Sequence, residues 1–304
     1  MFILRKPSIY LSDYFIKTIW PRFKETLLKE RTQSDYFANV CMICDYLKED
    51  FINITSVHAQ QYFDTLAADK KHPLRVQTLH AKLSYLRSIS TFIVEHKDIL
   101  DIPETYINVF HNVSIQDYEY YIDKDSIPSL EEMDQLFHSC RDNEILFLII
   151  ALIFKCALTA TEVCSLTPKK IALDGKERGF ITFRKQGKNR IVKIPDDVMQ
   201  LLVQYIDHTG EREYLFYNKK NKVLKVRSLE ILLKDALLAA GIRKSYTLQD
   251  IRNASMAYML RSGAESNGVA EYTGTSGRWI YRYDRVLPEL DVAPCDYVHI
   301  YITK

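Results

Sequence analysis

The chain of 304 residues is 47% hydrophobic and 26% charged, a globular balance with length enough for two domains, each with its own core. Its 41 basic and 39 acidic residues leave a net charge of +2, so a polyanion-binding face has to come from local clustering and not from bulk charge. Met1–Pro7 is too short for a secretory leader, and the most apolar run, Ile145–Leu158, is broken by Lys155 and too short to span a bilayer. These features point to a cytoplasmic protein, with a buried core helix in that run. The six cysteines (Cys41, Cys44, Cys140, Cys156, Cys164, Cys295) lie mostly in apolar, helix-like surroundings, as reduced thiols do. Cys41 and Cys44 are the one close pair; without a second Cys or His pair at ligand spacing they read as helix residues one turn apart, and no metal is expected.

Residues 9–30 read as one or two short helices punctuated by Pro21. Thr32 is placed to cap a helix to about Glu49, with Phe37, Val40, Cys41, Cys44 and Leu47 at apolar positions. Thr55 caps the next, and a polar turn ends at Pro73. A long helix then runs from about Arg75 to Lys97 through Leu79, Leu83, Leu86, Ile89 and Ile93, and Ile102-Pro103 starts a short one to Phe110. Residues 1–111 are therefore expected as a helical bundle, and the aperiodic, Asp- and Tyr-rich residues 112–127 as a linker.

A second unit, residues 128–304, opens on Ser129 and Glu132 at capping-box spacing. The buried helix leads into Ala157-Leu158-Thr159-Ala160-Thr161-Glu162. Within Gly179–Pro195 two apolar, β-branched runs flank Gln186-Gly187 as a hairpin, with five basic and no acidic residues between Arg184 and Lys193. Charge at a hairpin tip can simply protect an edge; this density favours phosphate. A helix over 196–208 follows, then a basic cluster (Lys219, Lys220, Lys222, Lys225, Arg227) before a helix over 228–240. Thr247 or Asp250 can cap the next helix, and Gly263 stands where a left-handed C-terminal residue is wanted. Arg252 is thus held near the start of a rigid element, and Tyr283 lies further on in a polar, aromatic segment. The alternation in Asp296–Thr303 suggests a short strand.

Taken in this order, the chain resembles the tyrosine recombinases (the phage-integrase family). Their catalytic core reads His-x-x-Arg, a helix, Gly, Leu-Gly-His, then the nucleophilic Tyr. Gln249 stands for the first His, Arg252 for the Arg, Thr275 (in Thr273-Gly274-Thr275) for the second His, and Tyr283, followed by Val286, for the nucleophile. Leu158, Glu162 and Leu166 match the family's Gly-Leu-Arg-x-x-Glu-x-x-x-Leu, with Thr159 in the place of its first catalytic arginine. Setting Lys188-Asn189-Arg190 on the family's Lys-x-Arg puts Lys185 at the catalytic lysine.

The resemblance implies a mainly α protein: a SAM-like, core-binding bundle followed by an α+β catalytic-type domain with a small β-hairpin. It implies a clamp around double-stranded DNA, self-association or association with other recombinase protomers there, and no membrane, metal or nucleotide cofactor. Phosphate contacts are expected at Arg184, Lys188, Arg190 and Lys193 in the hairpin; Lys219, Lys220 and Lys222, and Lys70, Lys71, Arg75, Lys82 and Arg87 in the bundle, are candidates for such contacts, with solvated surface charge as the equal alternative. The family's tyrosine attacks a DNA phosphate to form a 3′-phosphotyrosyl bond, the hairpin lysine protonates the leaving oxygen, and arginine forks hold the non-bridging oxygens.

Against that need, Lys185, Arg252 and Tyr283 are in place, while Thr159, Gln249 and Thr275 are neutral substitutions. Each lost transition-state donor typically costs roughly 10²–10³ in rate. Arg184, Arg278 and Arg282 are the arginines nearest in sequence that could stand in, and Tyr272 and Tyr281 compete as nucleophile. Three readings follow: a DNA-binding family member with impaired or lost strand transfer, a working recombinase with an atypical site, and a helical protein-interaction scaffold without DNA binding.

Overall fold

The computed structural model describes residues 6–69, 74–115, 121–173, 178–185 and 188–290, without the side chains of Lys185 and Lys188. The expected tail strand, Cys295, and the bundle lysines Lys70 and Lys71 lie outside the described residues. The chain divides into two compact units, Met1–Tyr118 and Glu119–Lys304.

The first unit is all helical among its described residues. A π-helical turn, Phe15–Ile19, runs into α1 (Trp20–Glu25), with Pro21 in its first turn, where no intrahelical partner is lost. Then come α2 (Glu30–Leu47), α3 (Ser56–Ala68) and α4 (Val76–Glu95). Thr55 Oγ1 accepts from His58 N at 3.2 Å and caps α3 as expected. Thr32 does not cap α2, which starts earlier, behind Lys29 and without a side-chain cap. The helix expected from Ile102 to Phe110 is also absent: only a 3₁₀ turn, Val109–Asn112, forms there. Arg87 takes up the carbonyls of this irregular segment, donating from Nε to Phe110 O at 2.8 Å and from Nη2 to Val113 O at 3.1 Å. Phe15, Phe37, Cys41, Cys44, Phe63, Leu83, Leu86, Ile89 and Phe110 fill the core. Cys41 and Cys44 are buried there as helix residues, and burial, with Asp50 adding, pushes the Cys44 thiol up.

The second unit opens on α5 (Leu130–Ser139), whose Ser129–Glu132 capping box forms in both directions. It continues through the apolar α6 (Glu144–Cys156), the short α7 (Ala160–Cys164) and a three-stranded antiparallel sheet in the order β1 (Ile171–Leu173), β2 (Gly179–Lys185), β3 (Lys188–Lys193). Helices α8 (Asp196–Thr209), α9 (Val226–Ala239), α10 (Leu248–Arg261) and α11 (Ser266–Thr273) follow, and a 3₁₀ helix, Gly277–Tyr283, carries the last functional candidate. Among the described residues no helix is long and apolar enough to cross a membrane.

Two cores lie in this unit. The larger surrounds α6; the smaller gathers Ala254, Met256, Ala257, Val269, Ala270, Ile280, Tyr283 and Val286. Ile122 and Ile127, expected in a linker, are buried in this smaller core, and Ile122 N donates to Arg282 O at 2.7 Å. Ile122 and Ile127 tie the end of this stretch to the second unit, while Val113 and Ile115 at its start pack in the core of the first.

Candidate active site

The N-terminus of α10 fixes the site. Thr247 and Asp250 form a reciprocal capping box, Thr247 Oγ1 accepting from Asp250 N at 3.2 Å and Asp250 Oδ2 accepting from Thr247 N at 2.8 Å. One turn on, Arg252 points inward and is 8% exposed. Its Nε donates to Ala157 O at 2.7 Å, and its Nη2 donates to Thr273 O at 2.8 Å and, more weakly, to Thr275 Oγ1 at 3.4 Å. Both carbonyls end helices. Ala157 is the left-handed residue (φ 50°) that closes α6, and Thr273 is the last residue of α11. Such carbonyls have no intrahelical partner and sit at the negative end of a helix dipole, where a cation is favoured. Burial lowers the pKa of Arg252, Glu162 and Tyr283 oppose that, and Arg190 adds to it; an arginine keeps its charge regardless. These three groups therefore lie within electrostatic reach of it.

Arg190 arrives from the sheet. Side chains alternate across a strand: on β3, Val192 and, just beyond it, Ile194 are fully buried while Ile191 is 60% exposed, so Arg190 shares the inward face. Its cross-strand partner is Phe183, and its guanidinium lies over that ring at 4.7 Å. Nη1 donates to Thr273 O at 2.7 Å, the carbonyl that Arg252 also uses. Nη2 is 3.0 Å from Glu162 Oε1, an ion pair without the alignment of a hydrogen bond, and Nε has no hydrogen-bond partner among the described residues. Gly274 makes room for this arrangement: its φ is +67°, and a Cβ there would stand 2.4 Å from Arg190 Nη1.

Glu162 joins Arg190 to the position where the family pattern has its first arginine. Its Oε2 accepts from Thr159 N at 2.9 Å, and its own N donates to Thr159 Oγ1 at 3.2 Å, a capping box that starts α7. Thr159 is thus engaged as a helix cap. The arginine reaching the carboxylate beside it is Arg190, and none of Arg184, Arg278 and Arg282. Arg184 is exposed on β2, and the guanidinium groups of Arg278 and Arg282 lie over Trp279 at 5.6 and 5.8 Å.

Tyr283 is 2% exposed, and its hydroxyl donates to Asn253 Oδ1 at 3.2 Å, with Met256 Sδ at 3.7 Å. Asn253 Oδ1 also accepts from Gln249 Nε2 at 2.9 Å. A buried carboxamide on α10 therefore links two candidate positions. The structure brings Arg252, Gln249, Thr275 and Tyr283 together, with Thr159 behind Glu162. Lys185 and Lys188 face each other across the hairpin, but their side chains are outside what is described. Of the competing tyrosines, Tyr272 donates to Lys193 O at 2.8 Å, while Tyr281 is 37% exposed and packs edge-on to Tyr121.

The expected phosphate contacts divide. Arg75, Arg184, Lys193, Lys219, Lys220 and Lys222 are exposed. Arg190 is not on the surface but in the pocket. Arg87 is bound to main-chain carbonyls as above, and Lys82 Nζ donates to Asn39 Oδ1 at 3.1 Å; both are anchored within the first unit. Asn253 and the carbonyls of Ala157 and Thr273 were not anticipated. The Gln249–Asn253 spacing of one helical turn was a usable signal; the carbonyls have none in a sequence.

The chain is similar to known proteins. The phage integrase family model matches residues 123–286, a little over half of the chain. A tyrosine recombinase of Pseudothermotoga lettingae is 25% identical over 273 residues, covering 86% of this chain and 91% of that protein. The tyrosine recombinase XerD of Oceanobacillus iheyensis is 23% identical over 81% of this chain and 84% of its own. The fold is shared with XerH site-specific recombinase bound to palindromic difH substrate in a post-cleavage complex (TM-score 0.66, 14% identity, covering 93% of this chain and 88% of that one). It is shared equally with a lambda integrase dimer bound to a COC′ core site (TM-score 0.66, 14% identity, covering 92% and 79%). With that family model matched over more than half of its length, the chain belongs to the phage integrase family of tyrosine recombinases.

Proposed function

We propose that this protein binds duplex DNA through the phosphate backbone and that its strand-transfer chemistry is impaired or lost. One observation carries the reading: the buried guanidinium of Arg252 is fixed by two helix-ending carbonyls, while the groups around it at 159, 249 and 275 are neutral and engaged in local hydrogen bonds. A rigid cation suits a phosphate; threonine and glutamine side chains neither carry positive charge nor shuttle a proton. The exposed Arg184, Lys193, Lys219, Lys220 and Lys222 supply further backbone contacts. DNA recombination is the process in which such a protein acts, with further protomers as partners on the DNA.

Salt titration of binding to a short duplex tests the first half. Phosphate neutralisation gives a steep linear fall of log affinity with log salt, roughly −0.9 per phosphate; no binding at low salt would leave the scaffold reading. A pool of nicked suicide duplexes tests the second half. No SDS-resistant adduct is expected, whereas an adduct that disappears in Tyr283→Phe would establish the second reading, a working recombinase. That reading is favoured by the Tyr283 hydroxyl sharing the Asn253 acceptor with Gln249, next to Arg252 on α10.

A further inference from the structure

We propose that Arg190, delivered by strand β3, supplies the second guanidinium of the phosphate pocket in place of the arginine missing at position 159. The proposal rests on the reading of Arg252 as a phosphate ligand. Three observations carry it. Arg190 and Arg252 converge on one acceptor, Thr273 O, at 2.7 and 2.8 Å. Two guanidinium charges share a single carboxylate, Glu162, so the cluster keeps one positive charge in excess. Finally, Arg190 is pinned through Nη1 and over Phe183, yet its Nε and Nη2, the two nitrogens that form a bidentate fork, are buried without a hydrogen bond among the described residues.

Buried donors are nearly always satisfied, so the unbonded Nε, with Nη2 held at Glu162 by charge alone, is a fork able to donate to an oxyanion. A tetrahedral phosphate accepts two parallel N–H bonds from such a fork. Thr159 is compatible with this: its short side chain caps α7 and leaves the volume beside Glu162 to the arginine from the sheet.

The test uses the full chain and inorganic tungstate, a tetrahedral oxyanion, measured by titration calorimetry and by competition with a short duplex. Wild type is expected to bind tungstate in competition with DNA. Arg252→Gln and Arg190→Gln should each weaken binding by roughly 10–100-fold, the scale of a lost hydrogen bond to a charged group. Arg190→Lys, which keeps the charge but not the fork, should fall between, and Thr159→Arg should restore binding to the Arg190→Gln chain. If Arg252→Gln weakens binding and Arg190→Gln does not, the proposal fails while the reading of Arg252 stands. If neither weakens it, both fail. Should Arg190→Gln lose its helical circular dichroism, Arg190→Lys decides: a native spectrum with weakened tungstate binding supports the proposal, and wild-type affinity overturns it.

Discussion

The Glu162 carboxylate is the counter-charge of the whole pocket, so neutralising it is the most informative single change. Glu162→Gln keeps an oxygen for Thr159 N, and the cap of α7 survives; what is lost is the ion pair with Arg190 at 3.0 Å. Breaking a fully buried pair costs about 3–5 kcal/mol, and an exposed pair contributes about 0–1 kcal/mol. With its two side chains 16% and 23% exposed, this pair falls between, and about 2 kcal/mol of local stability should be lost. Hydrogen exchange of peptides from α7 and β3, followed through a urea titration, isolates that transition from the rest of a chain of two units. The same substitution leaves two guanidiniums facing each other without an anion. Sulfate or duplex DNA should therefore stabilise Glu162→Gln more than wild type, and its DNA affinity should rise at low salt. Unchanged exchange in α7 and β3, together with unchanged DNA affinity, would refute the electrostatic account of the pocket.

Tyr283→Phe should cost at most about 1 kcal/mol, because Asn253 Oδ1 keeps Gln249 as a donor; thermal melting and duplex binding near wild type check this, and a loss above about 3 kcal/mol would mean the ring itself had moved. Arg87→Ala should destabilise the first unit by about 2–3 kcal/mol, since it strands the carbonyls of Phe110 and Val113, with no change in the salt slope of DNA binding; a smaller slope would place Arg87 on phosphate after all. Burial raises the Tyr106 pKa to about 12, with the Ser90 hydrogen bond opposing. A phenol held neutral in the fold stabilises it below the ordinary tyrosine value and loses that contribution as pH climbs through about 12, so alkaline denaturation should be flatter in Tyr106→Phe.

The scaffold was legible because it is periodic. The apolar spacing of α4 and α6, the boxes at Ser129 and Thr247, and the glycine at 263 each leave a local signal that the fold honours. Where signals were weak, the reading slipped: Thr32 looks like a cap but lies within α2, and Ile102-Pro103 starts no helix. Arg252 and Tyr283 were singled out through the resemblance to the family's His-x-x-Arg and terminal Tyr segments. Arg190 was placed on the DNA-facing tip because the hairpin is so basic. The inward alternation of Arg190 with Val192 and Ile194 was there to be read, but it competes with the charge pattern, and Ile191 pointing outward disguises it. Main-chain acceptors such as Ala157 O and Thr273 O depend on where helices end in space, which no residue type announces.

On the proposed reading, the two halves of a phosphoryl-transfer site, holding the phosphate and moving protons, come apart. Holding needs fixed positive charge, and both guanidiniums are locked by main-chain carbonyls whose supply depends on helix ends, not on residue identity. Substitution at 159 therefore leaves that half standing. Proton movement needs a titratable side chain at the reacting atoms; positions 159, 249 and 275 carry hydroxyls and a carboxamide, and the side chain of Lys185 lies outside what is described. The Tyr283 hydroxyl donates to Asn253, a carboxamide that cannot take its proton, and Gln249 holds the same oxygen from the other side. A histidine at 249 would change this only if its ring could replace the Gln249 bond to Asn253, because that bond and the one from Tyr283 share a single acceptor. Phosphate affinity and strand cleavage should thus respond to different substitutions: affinity to 162, 190 and 252, cleavage to 249, 253 and 283.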